Sequence, residues 1–257
     1  MTEPMKPRNA NQAKYITMMS NPLPYIVIAS GPAGTAKSSL AVSVAIQELL
    51  KHNYSRIVIT RPTVSADEDV GFLPGKLEDK MDPWLRPLYD TFYKYYTPDA
   101  VKDMIAKKVI DICPIAYLRG RTLEDSFIIV DEAQNCSVNQ MLMILTRIGP
   151  NSKMVITGDP MQHDRKPRTH SKNVPPEKSG LTDLIDRLSF HTNTHAETYS
   201  HPHQDQDQDP LRTMDECESE SHIDRTHIDS NIGHVVFDAS DVERHPVIKD
   251  ILHLYSL

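Results

Sequence analysis

The sequence predicts an α/β protein in which a mostly parallel sheet carries helices on both faces. Short apolar segments typical of buried strands alternate along the chain with longer segments of helical periodicity. Such an alternation favours parallel strands, because each helix returns the chain to the start of the next strand. In addition, polar residues gather directly after three of the apolar segments, where open α/β sheets bind their ligands.

Composition narrows the class of protein. The chain has no apolar run long enough to span a membrane, and its N-terminus lacks the hydrophobic core of a signal peptide. Its three cysteines are widely spaced and odd in number, which argues against a disulfide framework or a zinc ribbon. We therefore expect a cytoplasmic protein. The formal net charge is −7, but residues 191–231 alone contribute −8, so overall charge does not decide whether the chain binds a polyanion.

An eight-residue loop joins a strand predicted at 25–29 to a helix predicted at 39–50. Its residues are Gly31, Pro32, Ala33, Gly34, Thr35, Ala36, Lys37 and Ser38. A glycine-rich loop that ends in Lys-Ser between a strand and a helix is the arrangement of a phosphate-binding P-loop, in which backbone N–H groups converge on phosphate oxygens. Lys37 then reaches the β- and γ-phosphates, and the Ser38 hydroxyl binds Mg²⁺.

Gln12 lies in the polar lead-in before the first strand. Its side chain is either solvated or pairs with an adenine edge, because the amide offers a donor and an acceptor together. The residues alone favour the solvated side chain.

The next segments predict a second strand at 56–60 and an aromatic helical segment at 81–96. Core packing is the expected role of these aromatic residues, and stacking of a nucleic-acid base on Trp84 is the less favoured alternative. A helix follows at 97–107, with Thr97 as its N-cap and Pro98 at its first position.

A strand predicted at 109–113 leads to a loop in which Arg119 and Arg121 flank Gly120. These arginines either contact phosphate or nucleic acid, or they are solvated, and the residues favour both readings equally.

Two adjacent carboxylates, Asp131 and Glu132, follow an apolar strand predicted at 126–130. Charged groups at the end of a buried strand cost several kcal/mol, of order 3–5 or more, unless they are paired or bind a metal. In a P-loop protein Asp131 holds Mg²⁺ through water, and Glu132 activates the attacking water. This pair is the second strongest signal in the sequence.

The rest of the chain predicts further alternation. The elements are a helix at 137–148, a strand at 154–157 followed by polar residues at 158–162, a helix at 181–188, a strand at 234–237, a cap at Asp241 and a closing helix at 246–255. Residues 191–231 contain few apolar residues, so we expect an acidic, His-rich, disordered insertion. The spacing of His191 and His195 would suit a metal only within a helix, and the composition disfavours a helix.

Five strings of residues resemble the PhoH family of P-loop ATPases. They are GPAGTAKS, TRPTVSADEDVGFLPGKLEDKMDPWLRPLYD, PIAYLRGRTLEDSFIIVDEAQN, LTRIGPNSKMVITGDPMQHD and DVERHPVIKDIL. The resemblance runs from about residue 11 to 190 and resumes at 232. It implies a RecA-like P-loop NTPase fold similar to the first motor domain of superfamily 1 helicases. It also implies one domain over 1–257, interrupted by the insertion at 191–231.

The resemblance implies roles for particular residues. Gln12 matches an adenine-reading glutamine, residues 31–38 match the ATP phosphate loop, and Asp131 and Glu132 match the Mg²⁺ and water-activating pair. Gln162 matches a glutamine that senses the γ-phosphate, and Arg244 is a candidate transition-state arginine. The further candidates for that arginine are Arg119, Arg121 and Arg147.

Similar single-domain proteins lack the second motor domain that would supply an arginine, so the resemblance implies a homo-oligomer, a hexameric ring. RNA or single-stranded DNA is the implied partner. Ala36 departs from the family pattern, because it replaces a glycine expected to have positive φ, at a cost of roughly 1–2 kcal/mol. The alternative function is therefore a nucleotide-gated binding module with little turnover. A small-molecule kinase is less favoured, because Asp131-Glu132-Ala133-Gln134 is a motor-type pattern.

Overall fold

The computed structural model describes residues 5–62, 86–162, 178–198 and 231–243. Within these ranges six strands alternate with helices along the chain. The strands are β1 (Ile26–Ser30), β2 (Arg56–Thr60), β3 (Ile110–Ile112), β4 (Ser126–Val130), β5 (Lys153–Gly158) and β6 (Ile232–Val236). The helices are α1 (Ala10–Ser20), α2 (Lys37–Leu50), α3 (described over 86–92), α4 (Pro98–Ala106), α5 (Val138–Leu145) and α6 (Gly180–Thr198). Short 3₁₀ turns cover Ile115–Leu118, Ala133–Asn135 and Ala239–Asp241.

All six strands pair in parallel, in the order β3-β2-β4-β5-β1-β6. β5 therefore lies between β1, which precedes the glycine-rich loop, and β4, which precedes the two carboxylates. Because the strands are parallel, their carboxyl ends meet at one edge of the sheet. The three polar segments of the sequence are thereby brought to the same edge.

Two apolar layers cover the sheet, one on each face. Alternate residues of the strands point to opposite faces, as the period of a strand requires: Val27 and Ile129 lie in one layer, and Ile28 and Ile128 in the other. Helices α1 to α4 pack on the first layer, and α5 and α6 pack on the second. The α/β class with a parallel sheet between two helical layers is thus confirmed.

Most predicted elements are confirmed to within three residues. The strands at 56–60 and 126–130 match β2 and β4, and the helix predicted at 97–107 is α4, capped by the Thr97 side chain and with proline in its first turn. The Ser137 side chain and Gln140 form a capping box at the start of α5. Caps are local sequence features, which explains why the Thr97 cap could be predicted directly.

Two predictions are wrong. The helix predicted at 181–188 continues to Thr198, so the first residues of the predicted disordered insertion are helical. Nothing in 181–198 is a glycine or a proline, and helix propagation therefore continues where the composition had suggested disorder. Asp241 does not begin a longer helix: it closes the turn Ala239–Asp241, which Asp238 caps. Trp84, Arg244, residues 199–230 and the predicted helix at 246–255 lie outside the described residues.

The amino ends of the strands are held by a buried lysine. Lys153, at the start of β5, is fully buried, and its ammonium donates hydrogen bonds to the carbonyl oxygens of Met18, Asn21 and Pro24 at 2.5–3.0 Å. Two of these carbonyls lie at the C-terminal end of α1, where helical carbonyls lack partners within the helix. Lys153 therefore ties α1 to the sheet. No helix among the described residues could cross a membrane.

Candidate functional site

The loop after β1 wraps tightly against its neighbours. The Gly31 N–H donates to the Gly158 carbonyl at 3.1 Å, and Gly31 has a φ of +140°. A Cβ at Gly31 would lie 2.2 Å from the carbonyl oxygen of Phe237, so only glycine fits there. The Gly34 carbonyl accepts from the Glu243 N–H at 3.2 Å. The loop is therefore held both by the sheet and by the chain after β6.

Ala36 adopts the left-handed conformation, with φ 64° and ψ 18°. The prediction that this position requires positive φ is confirmed. An alanine in that conformation costs roughly 1–2 kcal/mol. The loop thus carries backbone strain directly before the lysine.

Lys37 lies within the loop and is only 8% exposed. Its ammonium donates to the carbonyl oxygens of Gly31 and Pro32, both at 2.7 Å, and to the Thr35 hydroxyl at 3.2 Å. Burial lowers the pKa of Lys37, and the nearby carboxylates of Asp159, Glu132 and Asp131 oppose that shift. The cation is therefore held at the point where the loop and the carboxylates meet.

Ser38 and Asp131 are in direct contact, as their predicted shared role requires. The Ser38 hydroxyl donates to Asp131 Oδ1 at 2.6 Å, and the Thr157 hydroxyl donates to the same oxygen at 2.7 Å. Asp131 is 4% exposed. A hydroxyl and a carboxylate are oxygen donors of the kind that Mg²⁺ prefers, so these residues fit that ion.

Glu132 begins the turn after β4 with a left-handed backbone, φ 53°. Its Oε2 accepts a hydrogen bond from Gln134 Nε2 at 2.6 Å, and Gln134 Oε1 accepts from the Asp159 N–H at 3.1 Å. Gln134 thus links the ends of β4 and β5. We assigned no role to it from the sequence, although a polar residue so soon after a buried strand was a usable signal.

Arg61 is a further residue that sequence reasoning missed. It directly follows β2, and its guanidinium lies 3.7 Å from Asp131 Oδ2 and 3.5 Å from Glu132 Oε1. The signal for it was weak, because a single arginine after a strand has many ordinary explanations. Only the pairing of β2 with β4 places it beside both carboxylates.

Gln12 is buried, and the expectation of a solvated side chain is wrong. It is 1% exposed, its Nε2 donates to the Thr35 carbonyl at 3.3 Å, and its Oε1 accepts from the Arg8 N–H at 2.9 Å. The first turn of α1 therefore rests on the phosphate loop. Its adenine-reading role stays a prediction.

The remaining candidates are less closely connected with this edge. Gln162 is exposed, and its N–H donates to the Asp159 carbonyl at 3.1 Å. Arg121 pairs with the buried Asp111 at 2.8 Å, while Arg147 donates to the Arg121 carbonyl at 3.3 Å. These contacts favour structural roles for both arginines. Arg119 is exposed.

Comparison with known proteins gives consistent results. A model of the family described as PhoH-like protein matches residues 4–206. Curated PhoH-like proteins are similar to the chain: that of Synechocystis is 44% identical over 172 residues, covering 67% of this chain and 52% of the relative. That of Mycobacterium tuberculosis H37Rv is 46% identical over 160 residues, covering 62% and 45%. Protein PhoH of Escherichia coli K12 is 36% identical over 189 residues, covering 73% and 51%.

The chain spans about half the length of these curated relatives. Among solved structures, it is similar to the SWI2/SNF2 ATPase core of Sulfolobus solfataricus in complex with double-stranded DNA. That similarity has a TM-score of 0.39 and 14% sequence identity, and it covers 62% of this chain and 34% of the other. It is too distant to support an inference about this protein.

Proposed function

This chain belongs to the PhoH-like protein family, and from that premise we propose that it binds ATP with Mg²⁺ and hydrolyses it. The observation that carries the proposal is the contact of Ser38 with Asp131 at 2.6 Å, with Glu132 as the next residue. That contact joins the phosphate loop, which follows β1, to the carboxylates, which follow β4. A protein that only bound phosphate would not need the second carboxylate.

In the proposed mechanism the N–H groups of the loop and of the N-terminus of α2 bind the β- and γ-phosphates. Lys37 exchanges its carbonyl partners for phosphate oxygens. Ser38 and Asp131 would hold Mg²⁺, and the bound ion would neutralise charge that develops on the phosphoryl oxygens. Glu132 accepts a proton from the water that attacks the γ-phosphorus, while the bond to the bridging oxygen breaks to leave ADP and phosphate.

We assign the remaining predicted residues to the same reaction. Gln12 reads the adenine, which its position beside Thr35 supports. Gln162 senses the γ-phosphate, and Arg244 is the arginine that acts on the neighbouring subunit of a hexameric ring. An arginine supplied in this way is worth about 10³–10⁵ in rate, so assembly would control turnover.

The finer features of the proposal come from the family resemblance and the sequence. We propose coupling to RNA or single-stranded DNA in the manner of superfamily 1 helicases, and one domain over 1–257 interrupted by an acidic insertion within 191–231. We also propose the cytoplasm as the location, which the odd number and wide spacing of the cysteines support. The alternative function is a nucleotide-gated binding module, which the strain at Ala36 favours.

Steady-state ATP hydrolysis with Mg²⁺, measured for the wild type and Glu132→Gln, tests the proposal. We expect the substitution to lower kcat by about 10²–10⁴-fold, because it removes the general base. Glu124→Gln is the matched control, since Glu124 is exposed at the opposite end of β4 and should leave kcat unchanged. Adding single-stranded RNA or DNA tests the coupling separately.

The results distinguish the two functions. If the wild type and Glu132→Gln both bind ATP and neither hydrolyses it, the binding module is correct. If turnover is present but indifferent to nucleic acid, the ATPase stands and the helicase-like coupling fails.

A further inference from the structure

The guanidinium of Arg61 bridges the two carboxylates of the candidate site. Its Nη1 lies 3.7 Å from Asp131 Oδ2, and its Nη2 lies 3.5 Å from Glu132 Oε1. One cation therefore faces both of the acidic groups that the proposed reaction requires. Arg61 takes no part in the proposed steps of hydrolysis.

Each of these carboxylates has its other oxygen already held by neutral side chains. Asp131 Oδ1 accepts from the Ser38 and Thr157 hydroxyls at 2.6 and 2.7 Å. Glu132 Oε2 accepts from the Gln134 amide at 2.6 Å. Among the residues that the structure describes, the oxygens that face Arg61 are thus the ones left for a cation.

The backbone places Arg61 firmly, but its contacts with the two carboxylates are longer than close hydrogen bonds. The Asp131 N–H donates to the Thr60 carbonyl at 2.9 Å, which fixes the end of β2 beside the end of β4. The two ion-pair distances exceed the 2.7–2.9 Å or so of a charge-assisted hydrogen bond. The side chain of Arg61 is 26% exposed, so water can reach the guanidinium. A divalent cation can therefore replace its interaction with Asp131.

We propose that Arg61 is a positioning residue of the nucleotide site, which holds Asp131 and Glu132 side by side and competes with a divalent cation for Asp131. Two adjacent carboxylates repel each other, and a shared guanidinium offsets that repulsion. A divalent cation that enters alone meets the positive charge of Arg61. When a cation enters with a triphosphate, the negative charge of the triphosphate offsets the repulsion between the cation and Arg61. The metal and the nucleotide therefore bind together. This inference rests on the proposed function.

Mn²⁺ binding to the nucleotide-free protein, followed by electron paramagnetic resonance, tests the competition directly. We expect Arg61→Gln to tighten Mn²⁺ binding about tenfold, within the usual range of coupling between sites. Arg61→Lys keeps the charge and should stay close to the wild type. Arg56→Gln is the matched control, because Arg56 lies at the opposite end of β2, where it donates to Ser126 at 2.8 Å. It should leave Mn²⁺ binding unchanged.

Kinetics test the positioning of Glu132. We expect Arg61→Gln to lower kcat for ATP by about tenfold to a hundredfold, as misplacement of a reacting group does, with KM for ATP little changed. Arg61→Lys should recover part of kcat. A merely structural role would lower stability without tightening Mn²⁺ binding.

The outcomes separate this inference from the proposed function. Unchanged or weaker Mn²⁺ binding by Arg61→Gln overturns the inference, whatever the activity. If the wild type hydrolyses ATP and Arg61→Gln matches Arg56→Gln in both assays, the inference alone fails. If the wild type does not hydrolyse ATP but Arg61→Gln still tightens Mn²⁺ binding, the ATPase fails and the competition for Asp131 stands.

Discussion

Two buried lysines lie at opposite edges of the same sheet, and their surroundings indicate different roles. Lys37 lies at the carboxyl edge and Lys153 at the amino edge, with 8% and 0% of their surfaces exposed. Each ammonium donates to three oxygen atoms of the protein. By residue type, burial and number of hydrogen bonds, the two sites are nearly alike.

The difference lies in the charges around each lysine. Burial lowers the pKa of both, and that of Lys153 falls to about 8. Three carboxylates oppose the shift at Lys37, whereas at Lys153 the opposing charge comes from Glu48. A buried cation among acidic groups at the ends of parallel strands is typical of a ligand site, and one among helix-terminal carbonyls is typical of a structural cap.

The largest effect expected from this comparison follows the removal of the carboxyl-edge lysine, Lys37. Lys37→Met should lower kcat/KM for ATP by about 10²–10³-fold, because it removes a cation aimed at the transferring phosphoryl group. Steady-state hydrolysis measures the loss. A variant that keeps half of the activity would contradict the assignment of Lys37 to the phosphates.

The next effect concerns the amino-edge lysine. Lys153→Met should lower the free energy of unfolding by about 1–3 kcal/mol, because it leaves buried carbonyl oxygens without a donor. Hydrolysis by the folded variant should stay near that of the wild type. Urea unfolding at constant temperature checks the first expectation, and hydrolysis at the same temperature checks the second. Loss of activity in a stable variant would show that the amino edge acts on the nucleotide site.

The pH dependence of unfolding provides the control for Lys153. Its pKa is about 8 in the folded protein and about 10.4 in the unfolded chain, so between these values the unfolded state binds more protons. The cost of burying the charge is present in full below pH 8 and is relieved as the pH rises through this window. The stability of the wild type should therefore rise relative to that of Lys153→Met between pH 8 and 10.4. A flat difference would contradict the burial of a charged ammonium.

The smallest expected effect concerns Ala36, in the phosphate loop at the carboxyl edge. Ala36→Gly should tighten ATP binding up to about tenfold, because glycine adopts the left-handed conformation without the cost that alanine carries. His52→Gly is the matched control: His52 has φ 60° and lies just past the other end of α2. It should relieve strain without changing ATP affinity. Equal affinities for the wild type and Ala36→Gly, measured by titration calorimetry, would contradict this expectation and show that the strain at Ala36 is the same with and without ATP.

The elements that could be read from the sequence are those set by neighbours along the chain. The apolar period predicted β2 and β4, the Thr97 cap marked the start of α4, and Gly-rich spacing predicted the loop. The family resemblance implied the positive φ at Ala36. The start of the predicted insertion was harder to place from the sequence, because composition alone underestimated how far α6 continues. Helix propagation depends on the residues ahead as well as on their average polarity.

The sequence by itself determined the class of fold, through the alternation of apolar and helical segments. It also determined the phosphate loop and the acidic pair, because each of these two is a short run of adjacent residues. Only the tertiary structure decided which distant residues join them. Arg61 and Thr157 reach Asp131 because β2, β4 and β5 lie side by side in register. Strand order and register come from the packing of whole faces, a long-range property that no local pattern of residues encodes.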